Sequence, residues 1–117
     1  MSPWRVDEYR TAAGHSPIRG FIDDLDKDAQ ADALALIRLA EEYGNRLREP
    51  HSKALGGGLF ELRRNQVRMF YIFEPGRIVR LLSGVVKKQD RIPPAVLEQA
   101  RAYQREWEER RAPAKKK

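Results

Sequence analysis

Cysteine is absent from the 117-residue chain, which excludes disulfides and thiolate-held metals and gives no reason to expect an oxidising compartment. Histidine is scarce, and His15 and His51 are too isolated to make a metal set without cysteine beside them. No apolar run approaches the roughly 18 residues that a membrane-spanning helix needs. The opening "MSPWRVDEYR" is charged and lacks the apolar core of a secretory signal. Internal repeats are missing as well. "GGG" at 56–58 lacks the strand–loop–helix setting and the Lys-Ser/Thr of a phosphate loop, and reads as a hinge. These absences lead to the expectation of a cytoplasmic protein with no metal, no other cofactor and no membrane partner. The 41% hydrophobic content suits a single domain over residues 1–111, followed by a basic, disordered tail at 112–117.

The charge that is present is unevenly placed. Residues 1–50 hold 7 Lys/Arg against 10 Asp/Glu, and residues 51–117 hold 16 against 7. The terminal "KKK" explains only part of this excess, because segment 51–91 alone carries 9 basic residues against 3 acidic ones. A basic second half points to an anionic partner, with nucleic acid foremost.

Periodicity gives the elements. "WRVDEY" (4–9) alternates as an edge strand does. Ser16 followed by Pro17 is a helix start, and Ile18, Phe21, Ile22 and Leu25 recur at helical spacing over 17–25. Asp26 or Asp28 caps a second helix that Gly44 stops, with Ala33, Leu36, Ile37, Ala40 and Tyr43 as its apolar stripe. "NRLREPHSKALGGG" reads as a linker. Strands are expected at 59–64, 67–74 and 77–86, and a last helix at 94–111 buries Val96, Ala100, Tyr103 and Trp107. The order strand, two helices, three strands, helix predicts an α+β fold built on a mainly antiparallel sheet.

Within that sheet the stretch "LFELRRNQVRMFYIF" (59–73) is unusual. A turn at Asn65–Gln66 sets Arg63 directly opposite Arg68, an arrangement that costs stability by a few tenths to about 1 kcal/mol. A second turn at "EPGR" (74–77) places Arg68 opposite Ser83 and brings Lys87 and Lys88 to the same edge. Five cations, Arg63, Arg64, Arg68, Lys87 and Lys88, are then expected together, where guanidinium groups grip phosphates bidentately and lysines act as point charges. On this register Arg68→Ala would leave the fold as stable as before or slightly more so. Lys53 and Arg91 extend the patch. His51 precedes the basic strands and could reach the same edge, and Tyr71 reads as a core residue or as a hydroxyl donor and base-stacking platform.

"GHSPIRGFIDDL", "HSKALGGGLFELR", "RMFYIF", "GRIVRLLSGVVKK" and "IPPAVLEQA" together resemble RelE/HigB-like toxins of type II toxin–antitoxin systems, in the phage-derived branch of the RelE/ParE superfamily. The resemblance runs from about Trp4 to Arg105. It implies a RelE/ParE-like fold, with an N-terminal strand and a two-helix hairpin packed on an antiparallel sheet and a C-terminal helix. It also implies a ribosome-dependent, metal-free endoribonuclease that cuts mRNA and blocks translation. For that cleavage Lys87 or Lys88 is the candidate proton acceptor and His51 or Tyr71 the candidate proton donor, with Lys53, Arg64 and Arg91 as RNA-binding positions. The implied partners are the ribosome, mRNA and a cognate antitoxin carrying a helix-turn-helix DNA-binding domain. Arg63, Arg68, Tyr71, Lys87 and Lys88 match positions the family tends to keep, and Ser83 departs from a histidine common in relatives. That departure leaves two other readings open, a ParE-like inhibitor of DNA gyrase and a non-catalytic module that binds RNA or an antitoxin.

Overall fold

The chain is described by a computed structural model that covers residues 3–112. Its elements are β1 (Arg5–Glu8), α1 (Pro17–Asp23), α2 (Lys27–Tyr43), a 3-10 turn (Gly44–Arg46), β2 (Ser52–Gly56), β3 (Leu59–Arg64), β4 (Val67–Glu74), β5 (Ile78–Val86) and α3 (Pro94–Arg111). Both early helices start where their caps predict. The Ser16 hydroxyl accepts from the Arg19 N–H, and an Asp26 carboxylate oxygen accepts from the Ala29 N–H. Gly44 ends α2 at a φ of 51°, and a side chain there would overlap the Trp4 indole. Trp4 in turn packs edge-on to Phe73, so the same glycine lets the N-terminus close over one end of the sheet.

The five strands lie in the order β1-β5-β4-β3-β2. β1 runs parallel to β5, and every other neighbouring pair is antiparallel. Helices α1 and α2 cover one face, over a core that includes Leu36, Ala40, Leu62, Met69 and Tyr71. Helix α3 covers the other, over Tyr9, Leu59, Phe70, Ile72, Leu82 and Ala100. The α+β architecture is therefore as the pattern predicts, and β4, buried on both faces, is its centre.

Three local expectations are corrected. The supposed linker contains β2, which pairs with β3 and forms the far edge of the sheet. The three glycines are its turn, at φ of 94°, 65° and 84°, a run of left-handed conformations that side chains resist. Tyr43 is 42% exposed rather than part of the buried stripe, with its ring under Arg46. The β4–β5 register also differs. Arg77 adopts a φ of 60°, so the turn takes three residues and Glu74 pairs with Ile78. Leu82 then inserts as a bulge between the partners of Tyr71 and Phe70. Arg68 consequently faces Val85, and Ser83 faces Phe70. Of the tail expected at 112–117, Ala112 caps α3 and residues 113–117 lie outside the described chain.

Candidate nucleic-acid interface

The β3–β4 hairpin places Arg63 opposite Arg68 as its two-residue turn requires. Their surroundings then diverge. Arg68 is 8% exposed, and its Nη1 donates to the carbonyls of Asn65 (2.7 Å) and Val67 (2.9 Å). Its Nε lies 3.4 Å from Glu61 Oε2 but finds no hydrogen-bond acceptor, so that contact is coulombic rather than directional. Burial lowers the Arg68 pKa from its ordinary value, Glu61 opposes that shift and Arg63 adds to it. Arg68 thus ties the turn to the strand. The expectation that its loss would leave the fold unharmed no longer has a physical basis. Arg63 is half-buried and forms no hydrogen bond or ion pair among the described residues through its side chain.

Arg63 opens onto a cleft of about 410 Å³ between the β2 edge and the start of α3. Lys53, Lys87 and Arg91 line it with Arg63, and Leu55, Ile92, Pro94 and Leu97 supply an apolar wall. Glu61, already engaged by Arg68, and Asp90 are its two carboxylates. Lys53 stands across from Glu61 in the β2–β3 ladder, and the Lys87 N–H donates to the Gln66 carbonyl at 2.7 Å, which fixes the end of β5 beside the turn. A second cleft of about 370 Å³ lies on the other side of Arg63, lined also by Pro50, His51, Arg64, Asn65 and Arg68. Arg63 is the wall the two clefts share.

The remaining predicted residues do not gather here. Lys88, two residues past the end of β5, lines the opposite side of the sheet among Asp24, Asp26, Asp28 and Asp32. Arg64 also turns toward that side and pairs with Asp32 at 3.1 Å, although it borders the His51 cleft. Tyr71 is 1% exposed in the core under α1 and α2, with its hydroxyl 2.7 Å from the Ser52 Oγ. Burial raises the Tyr71 pKa, with the Ser52 contact partly opposing. It cannot reach a substrate held by Arg63 without unpacking. His51 is half-buried, and its carbonyl accepts from the Arg63 N–H at 2.8 Å. The Ser83 Oγ is buried without a partner.

Sequence reasoning offered Glu61 as the one nearby charge able to hold the arginines, and missed the apolar wall altogether. The alternation of Lys53 and Leu55 in "SKALG" was the available signal for β2, hidden by the glycines that follow. Helix α3 keeps this edge in place. Arg101 donates to the carbonyls of Leu55 (2.9 Å) and Gly56 (3.1 Å), and Gln104 to that of Gly57 (2.7 Å). The far end of α3 is anchored on Glu74, which accepts from Arg80 Nε and Trp107 Nε1, both at 2.6 Å. No helix among the described residues is long and apolar enough to cross a membrane.

Curated proteins offer no match to this chain. Among solved structures, a chain of the toxin–antitoxin complex RelBE2 from Mycobacterium tuberculosis aligns at 23% identity. The alignment covers 76% of this chain and 97% of that one, with a TM-score of 0.48. Residues 8–105 match the model of a family described as phage-derived protein Gp49-like (DUF891), which takes in both clefts, strands β2 to β5 and most of α3. The chain belongs to the phage-derived Gp49-like family.

Proposed function

We propose that this protein is the toxin of a toxin–antitoxin pair and acts as a ribosome-dependent mRNA endoribonuclease. The observation that carries the reading is the cleft where Lys53, Arg63, Lys87 and Arg91 converge without an ion pair among the described residues. Unpaired cations drawn from β2, β3 and the segment after β5 repel one another in the free protein, so their convergence favours an anionic ligand. The motif resemblance to RelE/HigB-like toxins agrees with that ligand being RNA.

Cleavage requires a base to take the 2′-hydroxyl proton, donors for the charge of the pentacoordinate phosphorus, and an acid for the departing 5′-oxygen. Arg63 is placed to supply fixed donors to the developing charge, an effect worth several kcal/mol when preorganised. Lys87 is the proton acceptor in this reading, and His51, across Arg63 in the adjoining cleft, the proton donor. Arg68 positions the turn that carries Arg63. Lys88 and Tyr71 take no part. A cognate antitoxin would neutralise the cation cleft.

Expression should arrest growth and generate ribosome-dependent mRNA fragments in a translation extract, and the cognate antitoxin should relieve both. Robust growth with high levels of folded protein would sink the reading. Growth arrest with inhibited gyrase supercoiling and intact mRNA would replace it with the gyrase alternative.

A further inference from the structure

We infer that the cleft between β2 and α3 receives the base of one nucleotide of a single-stranded RNA, while the cations beside it hold the adjoining phosphates. The inference rests on the RNA reading above and adds a subsite to it. Cations alone would accept any polyanion. The distinguishing feature is the apolar wall of Leu55, Ile92, Pro94 and Leu97, which faces the same space as Lys53, Arg63, Lys87 and Arg91. Leu55, Ile92 and Leu97 are only half-buried, so this surface is packed on one side and open on the other.

A nucleotide offers the matching pair of groups, a flat face of low polarity and a charged phosphate at each end. Paired RNA does not, because its base faces are stacked on one another and only edges and backbone are displayed. Arg63 strengthens the case, since it is shared by this cleft and the His51 cleft. A strand crossing Arg63 would leave a phosphate on the guanidinium and one nucleotide on each side. An acidic peptide also combines charge with apolar groups. It lacks the regular phosphate spacing that two clefts around one arginine suit, and a guanidinium favours the phosphate geometry. Asp90, at the exposed rim, and Glu61, held by Arg68, leave the cations in excess.

The test uses the full chain and three labelled probes of equal length: a single-stranded oligoribonucleotide, the same backbone with its bases removed, and a duplex RNA. Binding should be roughly tenfold weaker for the abasic strand and for the duplex. Leu97→Ser should erase the advantage of the strand that has bases and leave the salt dependence of binding unchanged. Leu97→Met should restore the advantage. Equal affinity of the native chain for all three probes would overturn the inference and needs no variant. So would tighter binding of an acidic peptide of matched charge. Base discrimination without mRNA cleavage would support the subsite and count against the toxin reading, whereas cleavage without base discrimination would do the reverse.

Discussion

Arg63 and Arg68 stand opposite each other, yet their loss should register in different assays. Arg68→Ala would leave Glu61 as a buried carboxylate without its counter-charge and would remove the guanidinium donor from the carbonyls of Asn65 and Val67. Breaking one side of a buried pair in this way costs about 3 kcal/mol. Arg63→Ala removes no partner and relieves a like-charge contact, so stability should stay within about 0.5 kcal/mol of the native value. RNA affinity and growth arrest should drop in Arg63→Ala even so. Urea unfolding and oligonucleotide binding on both variants check this split. The reverse pattern, with Arg63→Ala unfolded and Arg68→Ala stable, would show that the hairpin is held by the other arginine. The opposed pair was legible in the sequence because a two-residue turn fixes its register. Which arginine is buried was not, because that depends on Glu61 engaging Arg68 on the neighbouring strand rather than Arg63 on its own.

At the scale of elements, the helices and β3, β4 and α3 follow from periodicity and caps, while β2 does not. Its five residues follow a proline-containing loop and end on the first of three glycines, and local composition there favours a linker. Tertiary bonds from α3 override it. That makes the seating of α3 important to the cleft, and its most buried polar anchor is Glu74, with a side chain only 4% exposed. Burial pushes the Glu74 pKa up, but hydrogen bonds from Arg80 and Trp107 and the charges of Arg80 and Arg111 outweigh it and hold the carboxyl below its ordinary value. A carboxyl depressed in the folded state stabilises the fold fully above the unfolded pKa of about 4.3, and that contribution is lost as pH falls through the folded value. Thermal midpoints of the native chain should therefore hold near neutrality and decline below about pH 4. Glu74→Gln should be less stable at pH 7 by about 3 kcal/mol and show a shallower acid decline. An acid profile identical in the two proteins would remove Glu74 from the account.

Over the whole molecule, charge divides by sheet face as well as by sequence. Asp24, Asp26, Asp28 and Asp32 sit on the side of α1 and α2, and Lys53, Arg63, Lys87 and Arg91 on the side of α3. The sequence asymmetry between residues 1–50 and 51–117 anticipated this division without showing that Lys87 and Lys88 would fall on different sides of it. If all four cleft cations meet phosphates of a single strand, the logarithm of affinity should fall against the logarithm of salt with a slope of roughly −3. Replacing any one of them with a neutral residue should flatten that slope by about 0.7. Affinity for ribosomes or oligonucleotides that ignores salt between low and physiological strength would dismiss phosphate contact as the function of the cleft.

The extra residue at Leu82 makes chain length between the Arg77 turn and the lysine pair a functional quantity. Were β5 paired with β4 in one unbroken ladder, Val85 and Lys87 would swap sides with Val86 and Lys88. The cleft would then hold Lys88, and Lys87 would lie among the aspartates. A one-residue deletion in this segment can keep Lys87 in place only by removing the bulge, together with the buried leucine that fills it. An insertion has no such remedy. Length variation here should consequently be far less tolerated than in the glycine turn, even though neither Leu82 nor its neighbours touch the cation cleft.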